Sequence, residues 1–164
     1  MISIVLPTYC EAASIEEVLR RASVALQKAG EPYELIVVDD SSPDGTAELA
    51  EALSGELPVR VVRRPGRSGL AKAVVEGWKA ARGDVLGVMD ADLQHPPEVL
   101  AGLIGLVRGG ADLAVGSRHV EHGGVGDWNL IRRMISRTVV VRGSSSLAST
   151  STTISRSVMI PRGV

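Results

Sequence analysis

Short aliphatic runs separated by amphipathic stretches set the rhythm of this chain. Ile2 to Leu6, Glu34 to Val38, Val59 to Val62, Val85 to Met89 and Asp112 to Val115 have strand length. Between them, apolar residues recur at helical spacing, so the pattern predicts an α/β fold with a mainly parallel sheet. The first helix is the most clearly marked. Ser14-Ile15-Glu16-Glu17 has the form of a capping box, and Ile15, Val18, Leu19, Ala22 and Leu26 follow on one face until Gly30. Thr46 to Leu53, Leu70 to Arg82 and Glu98 to Val107 predict further helices packing back on the sheet. From Thr138 the pattern fades. Ser144-Ser145-Ser146 and Ser149-Thr150-Ser151-Thr152-Thr153 bring in small polar residues, while Val139, Val140, Val141, Leu147, Ile154 and Val158 keep neither helical spacing nor a long alternation. Residues 1–137 are therefore expected to form one domain and residues 138–164 a poorly ordered tail that is dispensable for donor binding.

Composition narrows the classes of function. A chain of 164 residues suits one domain of ordinary size. Its formal net charge of -1 gives no general pull toward nucleic acid. Tyr9, Tyr33, Trp78 and Trp128 are the only aromatics, too few for base-stacking platforms, so no nucleic-acid partner is expected. Charge is nevertheless uneven. No acidic residue follows Asp127, and Arg132, Arg133, Arg137, Arg142, Arg156 and Arg162 leave the last part basic, which suits phosphates or lipid headgroups. The single cysteine, Cys10, cannot form an internal disulfide and reads as a small buried residue. There is neither a signal-like leader nor an apolar run of the roughly 20 residues needed to span a bilayer. The expectation is a cytoplasmic protein with at most peripheral membrane contact.

Candidate chemistry gathers where the predicted strands end. The fourth run ends in Asp90-Ala91-Asp92, followed by Leu93-Gln94-His95-Pro96-Pro97. Hard oxygen donors at the carboxyl end of a strand suit a magnesium or manganese ion that in turn faces a diphosphate. The first run ends in Pro7-Thr8-Tyr9-Cys10-Glu11 and the second in Asp39-Asp40-Ser41-Ser42-Pro43-Asp44-Gly45. Asp-x-Asp alone is a common turn. Three acidic strand ends at one sheet edge are not explained that way. His95, His119 and His122 lack zinc-site spacing and read as loop residues; Gly66-Arg67-Ser68-Gly69 and Lys72 read equally as a phosphate cradle or a plain helix entry.

With these motifs in view, the chain resembles family 2 glycosyltransferases of the GT-A fold, and among them the dolichyl or polyprenyl phosphate mannosyltransferase group. The residues that carry the resemblance are Leu6-Pro7-Thr8-Tyr9, Glu11, Val37-Val38-Asp39-Asp40, Ser42-Pro43-Asp44-Gly45-Thr46, Gly69-Leu70, Met89-Asp90-Ala91-Asp92-Leu93-Gln94-His95-Pro96-Pro97-Glu98 and Gly116-Ser117-Arg118. The resemblance implies a Rossmann-like α/β/α sandwich that transfers mannose, with inversion, from GDP-mannose to a polyprenyl or dolichyl phosphate. Alternatives are a related enzyme using UDP-glucose or another nucleotide sugar, and a nucleotide-sugar binding module with little turnover.

It also implies roles. Pro7, Tyr9, Glu11, Val38, Asp39 and Asp40 would hold the nucleoside, and Asp92 and Gln94 the Mg2+ or Mn2+ ion. Asp90 and Ala91 would contact the nucleotide, with Asp90 also near the metal. Arg118 and Arg132 would clamp the sugar diphosphate or the acceptor phosphate, Arg133 being the rival of Arg132, so Asp92, Arg118 and Arg132 are the expected catalytic set. Two departures stand out. The family usually has Asn where this chain has Cys10, and its acceptor-side continuation, an Asp-Pro-x-x-Gly-Phe-like segment and amphipathic helices, has no match after Arg137.

Overall fold

The computed structural model describes residues 1–66, 69–116 and 138–142. The five predicted strands form as β1 (Ile2–Thr8), β2 (Tyr33–Asp39), β3 (Val59–Arg63), β4 (Val85–Val88) and β5 (Leu113–Gly116). Helices α1 (Ile15–Gln27), α2 (Thr46–Ala52), α3 (Leu70–Ala80) and α4 (Val99–Arg108) connect them in turn. Thr138–Arg142 is a sixth strand, β6, and the sheet runs in the order β3-β2-β1-β4-β6-β5. Pairing is parallel from β3 through β4, whereas β6 runs antiparallel to both β4 and β5.

This order explains where a ligand can enter. The chain builds outward from β1 to β3, then returns and places β4 on the other side of β1. Loops leaving β1 and β4 therefore diverge, and the crevice between them is the topological switch point of the sheet. Alternation along the strands divides the core into two layers. Ile2, Ile4 and Leu6 face Ile15, Leu19, Leu26, Leu100 and Ile104 in the larger one. Val5, Ile36 and Val38 face Ala73 of α3 in the smaller one. Gly77 lets α3 lie against β1, since a Cβ there would meet Val5 Cγ1 at 2.4 Å.

Two expectations are corrected. Thr138–Arg142 is not part of a loose tail, because Val140 is fully buried and pairs with Gly87 on one side and Ala114 on the other. Its strand lies inside the sheet, between β4 and β5; residues 143–164 lie outside the described residues. Ser14 does not close a capping box either. Its hydroxyl donates to the carbonyl and carboxylate of Glu11 at 3.3 and 3.1 Å, and Glu17 pairs with Arg21 at 3.1 Å instead of reaching back. No described helix is long and apolar enough to cross a membrane.

Candidate active site

Three loops lie at the carboxyl edge of the sheet, and side chains tie those after β1 and β2 together. The β2 loop holds the β1 loop through successive backbone donors: Cys10 N to Ser42 Oγ at 2.9 Å, Glu11 N to Thr46 Oγ1 at 2.9 Å and Ala12 N to Asp44 Oδ2 at 3.0 Å. Asp39 organises the base of this assembly. It accepts from Thr8 Oγ1 at 3.0 Å, Ser42 N at 2.8 Å and Ser42 Oγ at 2.5 Å. Gly45, at φ +87, turns the chain into α2 where a side chain would be strained.

Backbone strain marks the same three loops. The described non-glycine residues with positive φ are Cys10 at 59°, Ser41 at 57° and Leu93 at 58°. They fall one each in the loops after β1, β2 and β4. Such conformations cost about 1–3 kcal/mol apiece and concentrate at ligand sites, where surrounding bonds hold them. Cys10 is exposed, against the expectation of a small buried residue. The left-handed backbone accounts for the family's Asn at this position, because Asn tolerates that region better than most side chains.

The electrostatics point the same way. Asp90 follows Met89, whose N–H still bonds to Val5 O at 3.0 Å, so the carboxylate is carried on the rigid end of β4. Burial, with the nearby Asp92 and Glu11 charges, pushes the Asp90 carboxyl up to about 6. Burial, together with Asp92 and Asp44, also raises Glu11, although the Ser14 hydroxyl opposes the shift. Asp92 Oδ1 accepts from Gln94 N at 2.9 Å, which curls the loop back on itself. Like charges are thus concentrated at this edge. A divalent cation is the group that would relieve them.

Among the described residues, no cluster of three His, Cys, Asp or Glu side chains is close enough to form a metal cage by itself. Asp90, Asp92 and Gln94 nevertheless fit a magnesium-type ion, which is commonly held by one or two carboxylates with substrate phosphates completing its shell. The nucleoside set divides. Pro7, Tyr9 and Glu11 stand at the edge and Asp40 is buried there against Arg64, whereas the Val38 and Ala91 side chains are buried in the core, leaving only their main chains for a ligand. His95 is buried in the loop after the acidic motif, and Lys72 is exposed on α3. Arg118, Arg132, Arg133, His119, His122, Arg67 and Ser68 lie outside the described residues.

One residue was not singled out by the sequence. Arg64, just beyond β3, is only 5 % exposed, and its Nη1 donates to Asp40 Oδ1 at 2.7 Å while Nε lies 2.8 Å from Glu76 Oε2. It also forms one wall of an open groove of about 530 Å³ shared with Ala71, Lys72, Val75, Glu76 and Lys79. The Arg63-Arg64-Pro65-Gly66 string reads as an exposed turn, so no sequence signal marks the burial.

An open, mainly parallel sheet with a strained, acidic crevice at its switch point defines a Rossmann-like α/β protein with a ligand-binding edge. Comparison with known proteins supplies the family: the chain belongs to glycosyl transferase family 2, matching its model over residues 3–160. That match runs beyond the boundary expected at residue 137. A dolichol-phosphate mannosyltransferase of Pyrococcus furiosus is 48% identical over 146 residues, covering 89% of this chain and 41% of the relative. A Mycosarcoma maydis protein of the same name is 39% identical over 144 residues, covering 82% of this chain and 48% of the relative. The chain thus spans less than half the length of these curated relatives. Among solved structures, the mannosyltransferase PcManGT of Pyrobaculum calidifontis, in complex with GDP-Man and Mn2+, aligns with a TM-score of 0.61 at 21% identity. The alignment covers 86% of this chain and 44% of that one. The likeness shows the GT-A fold.

Proposed function

We propose that this chain carries the donor-binding centre of an inverting glycosyltransferase that moves mannose from GDP-mannose to a polyprenyl or dolichyl phosphate. The observation that carries the reading is the meeting of Asp90, Asp92 and Glu11 at the switch point, with Asp90 raised first by burial and then by its acidic neighbours. Relatives named dolichol-phosphate mannosyltransferase, at 48% and 39% identity, support mannose as the sugar and a dolichyl-type phosphate as the acceptor.

In this reading Asp92, Gln94 and Asp90 hold a Mn2+ or Mg2+ ion. When bound, that ion neutralises the diphosphate charge that grows as GDP leaves. Pro7, Tyr9, Glu11, Asp39, Asp40 and the main chains of Val38 and Ala91 form the nucleoside side, with Asp39 acting through the loop it ties together. Arg118 and Arg132 are assigned to the sugar diphosphate and the acceptor phosphate, which guanidinium groups grip by paired hydrogen bonds. No protein base is needed. A phosphate monoester has its second pKa near about 6 and is largely a dianion at neutral pH, so its oxygen attacks the anomeric carbon without losing a proton first. Positioning that oxygen opposite the departing GDP gives one displacement and a β-linked product. A lipid acceptor also implies contact with a membrane surface, here assigned to its cytoplasmic face.

The test is to incubate the 164-residue chain with labelled GDP-mannose, polyprenyl phosphate and manganese, and to measure mannose entering the lipid fraction. UDP-glucose is run in parallel. Mannose transfer supports the assignment; preferential transfer from UDP-glucose reassigns the donor, and manganese-dependent GDP binding without transfer reduces the chain to a donor-binding module.

A further inference from the structure

We propose that Arg64 is the positioning residue for the nucleoside half of the donor, acting by fixing Asp40. This inference rests on the nucleoside reading above and adds a residue to it. Arg64 grips the β2 loop at successive points. Its N–H donates to Asp39 O at 2.8 Å, and its carbonyl accepts from Ser41 Oγ at 2.6 Å. Its guanidinium reaches Asp40 Oδ1 at 2.7 Å. Ser41 Oγ also accepts from Gly66 N at 3.1 Å, closing the β3 loop over the same point.

The arrangement has a specific mechanical consequence. Ser41 is held at φ 57°, and the bond to the Arg64 carbonyl is one of the contacts that fix it there. Asp40 precedes Ser41 and donates its own N–H to Thr8 O at 3.1 Å, so its backbone is fixed to the end of β1 while its carboxylate is fixed by Arg64. Arg64 is anchored on its other side by Glu76 of α3 at 2.8 Å. The ion pair therefore connects the nucleoside loop to a rigid helix. Core packing alone gives no reason for a guanidinium here, since burying an ion pair carries a desolvation cost that an apolar side chain avoids. Directional control of a carboxylate that must meet a polar ligand supplies the reason.

A positioning role differs from general support of the fold in what it leaves intact. The diphosphate is assigned to the β4 loop, whereas Arg64 acts through the β2 loop. The experiment measures binding of GDP and of inorganic pyrophosphate, each with manganese, to the full 164-residue chain and to Arg64→Met. Expected is a loss of GDP affinity of about tenfold or more, with pyrophosphate affinity within about twofold of the parent. Asp40→Asn should show the same selective loss, and adding Arg64→Met to it should cost little more, because the two side chains act as one unit. Parallel loss of GDP and pyrophosphate, or unchanged GDP affinity in folded Arg64→Met, would overturn the inference while leaving the donor reading intact. A parent chain that bound neither ligand would overturn both. Should Arg64→Met fail to fold, Glu76→Gln decides, since Glu76 is half exposed: a selective GDP loss of about threefold supports the role, and unchanged affinity overturns it.

Discussion

The two ends of this sheet handle negative charge in opposite ways. At the amino edge, Arg108 binds Glu31 at 2.5 Å and Asp84 at 2.6 Å, and the Met1 amine lies 2.8 Å from Asp84. These partners hold the Asp84 and Glu31 carboxyls below the usual carboxylate range. At the carboxyl edge, Asp90 and Glu11 are raised by burial and by each other's acidic neighbours. The amino edge is balanced within the chain. Among the described residues no ion pair balances Asp90, Asp92 or Glu11 at the carboxyl edge, and the described non-glycine residues with positive φ occur there too. Stability is thereby conceded at the carboxyl edge, which is the expected signature of a functional site.

The largest effect should come from Asp92→Ala. It removes a charged oxygen donor and should weaken manganese-dependent GDP binding by about 100-fold or more while preserving the fold. Retained GDP affinity with unchanged manganese dependence in calorimetry would erase the distinction between the two edges.

A charge-neutral change at the carboxyl edge should stabilise. Moving the Asp90 carboxyl from 3.8 to about 6 reflects an unfavourable partly buried charge, so metal-free Asp90→Asn should gain on the order of 1–2 kcal/mol at pH 7, less than the full shift because solvent screens a carboxyl that is not fully buried. Thermal melts should show a rise of a few degrees, and a lower Tm would contradict the account.

The same operation at the amino edge should have the opposite sign. Arg108→Met should lower stability by about 1 kcal/mol, a modest value because the pairs are partly exposed. Asp84 and Glu31 have depressed values in the folded state, so their contribution is present above about pH 4 and is lost as pH falls through those values. The gap between parent and variant should therefore begin to narrow below about pH 4 and keep shrinking as the pH falls in urea titrations. A gap independent of pH would remove the carboxylates from the explanation.

The smallest effect is assigned to backbone strain. Cys10→Asn should raise stability by about 0.5 kcal/mol, because Asn is more at ease at φ 59° and the Cys10 N–H bond to Ser42 does not depend on the side chain. A destabilised Cys10→Asn protein would show that the thiol makes a packing contribution.

Much of the fold was legible because its strands are short apolar runs between turn residues, each with a local signal. The sixth strand was not. Thr138-Val139-Val140-Val141-Arg142 lacks a polar alternation, and its place between β4 and β5 depends on distant pairing such as Val140 with Gly87. Gly87 itself is explained only by the assembled sheet, since a Cβ there would meet Ile4 Cδ1 at 2.4 Å.

At the site, the acidic strand ends could be read directly, but their mechanics could not. Ser41 and Leu93 give no sequence warning of positive φ, and Arg63 and Arg64 look alike in the chain. One is exposed between Glu48 and Glu51, while its neighbour is buried against Asp40. Strand alternation and the turn of the following loop, both tertiary outcomes, separate them.

The most direct measurement of the central claim is a calorimetric titration of GDP into the 164-residue chain with manganese and, separately, with chelator. The account predicts binding in manganese and at least about 50-fold weaker binding in chelator, because Asp90 and Asp92 repel an uncompensated diphosphate. Equal affinity under the two conditions would contradict it.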